Sequence, residues 1–151
     1  MKTCTKSYTD IPFAHRAPLH DGHCKLIHGH NWSFVITFAA RETDVNGFVM
    51  DFGKLLLLRE ELFVLFDHTL VLNEGDPIVE DIQKFLRAHN IGNVRLLPDC
   101  SCEGIAKFVF DLADSFVRKA TGSRAHVQSV TVQEDSKNSA TYGNDIDVEG
   151  Q

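Results

Sequence analysis

The segment from His23 to Phe38, HCKLIHGHNWSFVITF, sets two histidines on either side of one glycine, with a cysteine four residues before the first. In an extended strand, residues i and i+2 point the same way, about 7 Å apart along the chain. His28 and His30 can therefore aim at one ion, and Gly29 lets a ligand approach the backbone closely. A catalytic zinc takes three protein ligands and keeps one position open. His15 is the natural third, because it ends the first strand segment on the face that carries Ile11 and Phe13, where an antiparallel partner would bring it beside the other two. Three imidazoles with no thiolate favour zinc or a similar borderline ion over calcium or magnesium. The same spacing also suits surface histidines in a loop. His20 and His23, in the turn-like LHDGH, read as bystanders.

Cys24 lies in the loop just above that constellation. A free thiol ionises near ~8.5, so it needs help to act as a base or nucleophile. The segment LFDHTLVLN offers Asp67 and His68 where the chain leaves an apolar helix. Carboxylate, imidazole and thiol together outline a proton relay, although Asp-His alone is equally a pair at a helix end. Glu134 follows Val130 and Val132 on one strand face. A carboxylate there needs partners, and two adjacent N–H donors would satisfy both oxygens; a solvated strand-end glutamate is the simpler reading of position alone. Cys4, Cys100 and Cys102 read as structural, since CSC without a second pair is a poor metal spacing.

The elements that must hold these residues follow from periodicity. Residues 4–14 are strand-compatible. The stretch from His28 to Arg41 alternates a heavy face (His30, Trp32, Phe34, Ile36, Phe38) with a smaller, more polar one, which predicts a strand covered on one side. Asn46-Gly47 marks a turn, and FVMDF is expected as a short return strand completing a hairpin. Helical spacing predicts helices over 53–66 (Leu55, Leu58, Leu62, Leu65), 77–89 (Asp76 as cap, then Ile78, Ile82, Phe85, Leu86) and about 102–119 (Ile105, Phe108, Val109, Leu112, Phe116). NVRLL is expected as a short strand, Ala125 to Glu134 as a longer one, and the acidic tail after Tyr142 as frayed. The pattern is α+β: an antiparallel sheet with helices on one face.

At 151 residues the chain is expected to form a single domain. A net charge of −6 and no basic stripe argue against a nucleic-acid binder. There is no apolar run long enough for a membrane span, and no signal-peptide core at the N-terminus, so the cytoplasm is the expected location. In that reducing compartment the four cysteines would be free thiols, metal ligands or a catalytic thiol rather than disulfides. A metallopeptidase is excluded by the lack of a helical H-E-x-x-H pattern.

In order, FAHRA, C-x-x-x-H-G-H-N-W, MDFGKL, FDHTLVLN and a late strand ending VQE resemble the 6-pyruvoyltetrahydropterin and 6-carboxytetrahydropterin synthase family over roughly residues 8–142. The resemblance implies a tunnelling fold (T-fold): a four-stranded antiparallel sheet with two helices on one face, trimerising into a barrel. Two trimers commonly stack into a homo-hexamer with active sites at subunit interfaces. It further implies His15, His28 and His30 as zinc ligands, Cys24 as the catalytic thiol with Asp67 and His68 as proton-transfer partners, and Glu134 as the anchor of the pterin ring. The substrate would be 7,8-dihydroneopterin triphosphate. The three-residue spacer between Cys24 and His28 is similar to the branch that forms 6-carboxy-tetrahydropterin for 7-deazaguanine and queuosine synthesis; a pyruvoyl-forming or folate-route enzyme is the alternative, and a non-catalytic pterin- or metal-binding module is the alternative of another class. The sequence departs from the family at Ile11-Pro12-Phe13-Ala14-His15 (usually F-x-A-A-H) and at Ser101-Cys102-Glu103-Gly104 (usually T-[ST]-E-N). It also carries an extra segment at about 76–97. Lys25 and Arg16 are the basic residues considered for the triphosphate.

Overall fold

The computed structural model describes residues 1–144. Two long strands form its centre, β1 (Lys2–His15) and β2 (His28–Ala40), paired antiparallel. After a 3-10 turn at Phe52–Leu55 come α1 (Leu56–Phe66), β3 (Thr69–Asn73), α2 (Val79–His89), β4 (Asn93–Leu97), α3 (Cys102–Thr121), β5 (Ala125–Gln133) and β6 (Ser139–Gly143). The strands form one sheet in the order β4-β3-β1-β2-β5-β6.

This corrects the expected four-stranded antiparallel sheet. The sheet has six strands and is mixed, because β1–β3 and β3–β4 run parallel. The cause is the segment after the Asp67-His68 pair. Thr69–Asn73 is itself a strand, and α2 crosses over to bring β4 back alongside it, a β-α-β unit whose connection requires parallel strands. The return strand expected at FVMDF is absent: Phe48–Asp51 is irregular and Phe52 opens the 3-10 turn. Both edges of β2 are already occupied, by β1 and β5, so its hairpin partner has no edge to join. The acidic tail read from the sequence lies, beyond Asn144, outside the described residues.

Two bulges decide which side chains face inward. In β1, Tyr8 pairs with Phe34 and Ile11 with Trp32, so β1 spends one extra residue at Thr9-Asp10. Asp10 takes a left-handed φ of 60°; its carboxylate accepts from Asn31 Nδ2 at 3.0 Å and from the Thr9 hydroxyl at 3.2 Å. The bulge moves the inward set from Tyr8 to Ile11, Phe13 and His15, because one inserted residue inverts a period of two. A second bulge in β5 between Val127 and Ser129 does the same, carrying Val130 and Val132 inward and setting the phase on which Glu134 follows.

The inward faces of β1, β2 and β5 pack on α1 (Leu58, Leu62, Phe66) and α3 (Ile105, Val109, Ala113, Val117) in one apolar cluster. Phe34 lies at its centre, fully buried, 5.2 Å from the ring of Phe66 and 6.4 Å from that of Phe13. The other face of the sheet is polar, with Thr5 against Thr37 and Thr131 against Thr141. No helix among the described residues is long and apolar enough to cross a membrane. Phe34→Ala would leave a ring-sized void between the sheet and Phe66 of α1. It is expected to cost ~3–5 kcal/mol, read as a shift of the urea midpoint at constant slope.

Candidate metal centre

The β1–β2 register sets His15 directly opposite His28, with His30 two residues along on the same face. The three imidazole centroids lie 4.7 Å (His15–His28), 5.0 Å (His28–His30) and 5.5 Å (His15–His30) apart. Trp32 forms the floor beneath them, edge-on to His15 at 4.9 Å and to His30 at 5.3 Å. Phe13 stacks on Trp32 at 4.5 Å with 5° between planes. The indole N–H donates to the Phe13 carbonyl at 3.1 Å, which fixes the floor.

Second contacts orient the rings. His15 Nδ1 donates to the Cys100 carbonyl at 2.8 Å, and His28 Nδ1 to the Leu26 carbonyl at 2.7 Å, which assigns the lone pair of each ring to Nε2. Glu134 Oε1 stands 3.1 Å from His15 Nε2 and 3.2 Å from His30 Nε2. Neither contact has hydrogen-bond geometry, so both ring nitrogens are buried without a partner. Among the described residues, His15, His28, His30 and Glu134 form a group that could hold a metal ion, each offering one ligand atom within 4.8 Å of the others. Lone pairs and a carboxylate converging in a buried space repel one another unless a cation lies among them. The donor set therefore fits a metal ion.

The site opens into a cavity of about 550 Å3. Cys24 lines it from an exposed 3-10 turn (His23–Lys25), and Cys100 and Cys102 line it as well. The last two are held as thiols: burial pushes Cys100 up, and burial with the Glu134 charge pushes Cys102 up to about 11. Their sulfurs donate to the carbonyls of Arg16 and Val132. Cys24 is thus the exposed thiol at this wall. His20, expected to be a bystander, also lines the cavity, as do Ser101, Glu103, Lys137, Asn138 and Ser139. Sequence reasoning missed the turn after β5. Its signal was Asp135, whose carboxylate accepts from the amides of Lys137 and Asn138 and so builds the turn. Arg16 and Lys25 are not in the lining; Lys137 is the lysine there.

The structure does not bring Asp67 and His68 to this cavity. His68 Nδ1 meets Asp67 Oδ1 at 2.8 Å where α1 ends, but the pair is outside the cavity lining and the His68 ring is largely exposed. His68 adopts a left-handed φ of 56°, a costly conformation for a non-glycine residue, pinned by its amide donating to the Pro12 carbonyl at 2.8 Å.

His15 is held below the ordinary histidine value, chiefly by burial and further by the neighbouring His28 and His30, against the opposing Cys100 carbonyl and Glu134 charge. A depressed folded-state value has a definite sign. The unfolded imidazole takes up its proton near about 6.5, the folded one only at lower pH. Stability is fully present above about 6.5 and is lost as pH falls towards the folded-state value. Metal-stripped protein is expected to unfold at lower urea at pH 5.5 than at pH 7.5, and His15→Gln to show a smaller difference between the two.

The chain matches the 6-pyruvoyl tetrahydropterin synthase family over residues 3–145. It is 38% identical over 77 residues to the 6-carboxy-5,6,7,8-tetrahydropterin synthase of Rickettsia typhi, covering 50% of this chain and 55% of that one. It is 34% identical over 70 residues to a probable 6-carboxy-5,6,7,8-tetrahydropterin synthase of Halobacterium salinarum, covering 46% and 43%. These matches span about half the length of the curated relatives. The fold is shared with an uncharacterised protein from Wolinella succinogenes (TM-score 0.80, 17% identity, 95% of this chain and 98% of that one). It is also shared with Plasmodium falciparum 6-pyruvoyl tetrahydropterin synthase (TM-score 0.65, 18% identity, 94% and 98%). With a match along nearly its whole length, and with the architecture of that group, the chain belongs to the 6-pyruvoyl tetrahydropterin synthase family.

Proposed function

We propose that this protein is a zinc-dependent lyase that takes 7,8-dihydroneopterin triphosphate and water to 6-carboxy-5,6,7,8-tetrahydropterin, acetaldehyde and triphosphate. The observation that carries the reading is the convergence of three imidazoles on one buried point beside an exposed thiol. The relatives named 6-carboxy-5,6,7,8-tetrahydropterin synthase favour the carboxy product over the pyruvoyl one.

His15, His28 and His30 would hold the zinc, which supplies Lewis-acid polarisation of the substrate's side-chain oxygens when bound. His15, the buried one of the three, is held below the ordinary histidine value, which suits that task. Cys24 moves a proton at its sulfur, on the open side of the cavity. Glu134 presents two carboxylate oxygens to the adjacent N–H donors of the pterin ring. Three protein ligands already complete an open zinc site, which leaves Glu134 for the ring. Lys137 is the lysine on the cavity wall for the triphosphate. Asp67 orients the His68 imidazole through Nδ1, leaving Nε2 to exchange a proton.

Because that pair lies outside the cavity lining of its own chain, completing the relay falls to Asp67 and His68 of a neighbouring subunit. Among the described residues, strands β4 and β6 leave unpaired backbone at both edges of the sheet. Such edges invite pairing, as in a barrel of subunits and a hexamer of two such rings.

Zinc-loaded protein incubated with the substrate is expected to release acetaldehyde; none released removes this reading. Cys24→Ala should lower kcat by about a thousandfold or more with zinc retained. Glu134→Gln should raise KM about tenfold or more at unchanged zinc content; loss of zinc would instead assign Glu134 to the metal. Co-assembled Cys24→Ala and His68→Ala chains should recover activity that neither variant has alone, whereas a relay contained in one subunit would give no recovery.

A further inference from the structure

Arg16 directly follows the ligand-bearing end of β1, and every part of its guanidinium is engaged. Nε and Nη2 donate to the two carboxylate oxygens of Asp76 at 2.7 and 3.3 Å. Nη1 donates to the Lys25 carbonyl at 3.2 Å. The Asp76 side chain is wholly buried, and Oδ1 also accepts from the Ile78 amide at 3.1 Å. A carboxylate at the start of the α2 segment therefore holds an arginine that holds the backbone one residue past Cys24.

The turn His23–Lys25 has little else to hold it. It buries no side chain. Its other tie to the chain just past β1 is the Ala17 amide, which donates to the Cys24 carbonyl at 2.7 Å. Both ties come from the two residues after His15. The Arg16 carbonyl accepts from Cys100 Sγ, and the Cys100 carbonyl accepts from His15 Nδ1. A planar two-donor fork on a carboxylate fixes direction as well as distance, which a lysine ammonium would not.

We propose that Asp76, acting through Arg16, positions the Cys24 turn against the imidazole cluster. Asp76 and Arg16 are positioning residues; neither lines the cavity. The α2 segment thus has a task in the site from which its helix stands apart. The inference rests on the role given to Cys24 above.

The test uses zinc-loaded full-length Asp76→Asn, Arg16→Met and the double variant Arg16→Met/Asp76→Leu. The double variant replaces a buried ion pair by apolar groups, a change that generally preserves folding. Expected in all three is a fall in kcat of about tenfold or more, from misplacement of the thiol, with KM within about twofold and zinc content unchanged. The double variant should lose no more than either single. The Ala17 amide should exchange with solvent about tenfold or more faster in the double variant than in the wild type, while amides in β2 keep their protection. Losses in kcat that add in the double variant overturn the inference, as does an Ala17 exchange rate equal to the wild type's. Should the wild type release no acetaldehyde, the functional reading fails, and Ala17 exchange alone still decides whether Asp76 holds the turn.

Discussion

The antiparallel pairing of β1 with β2, in the register that sets His15 across from His28, is the constraint on which the rest of this molecule depends. A slip of one residue would send every imidazole to the polar face of the sheet. Bulk and chemistry prevent that slip. Phe34, Ile36 and Phe38 occupy the core side of β2 without exposure, and the extra residue at Thr9-Asp10 is clamped by Asn31 on the partner strand. The bulge is needed because Tyr8 and Phe13 both face inward although they are five positions apart, an odd interval that an unbroken strand cannot satisfy.

Around that register the site is arranged by contrast in exposure. The imidazoles stand on an aromatic floor, and His15 and His28 are oriented by backbone carbonyls. Cys100 and Cys102 share a wall with Cys24, yet burial keeps the first two protonated while they donate to carbonyls. Low dielectric that raises a thiol's ionisation point also lowers an imidazole's, so one environment keeps His15 neutral and these two sulfurs inert. Cys24, on the outward turn, is the exposed thiol of that wall.

Much of this was legible from residue order. His28 and His30 followed from a period of two, and His15 from sharing a face with Ile11 and Phe13, a parity that holds because the bulge lies before Ile11. The helices were visible in leucine and phenylalanine spacing, with α2 starting at Val79 rather than Pro77. Asp76, read as the helix cap, accepts from the Ile78 amide, but Ile78 is the N-cap of α2 and has no side-chain cap; the partnership of Asp76 with Arg16 spans 60 positions and has no local signature. For the same reason Arg16 looked available to phosphate when it is not. Thr69–Asn73 was too short for its period to announce a strand, and parallel pairing through a crossover leaves no turn motif to read. FVMDF carried strand propensity with no free edge to use it, which only the completed sheet reveals. The Asp67-His68 pair was visible as a motif, but a single chain does not hold it against the thiol.

The stacking of Trp32 has one more consequence. It is the sole tryptophan of the chain, sandwiched between the Phe13 ring and the edges of His15 and His30. An indole so placed emits into an environment whose charge is set by those two rings, and a protonated imidazole is an efficient quencher. The protein thereby carries an intrinsic fluorophore beside its imidazole cluster, readable without any added dye.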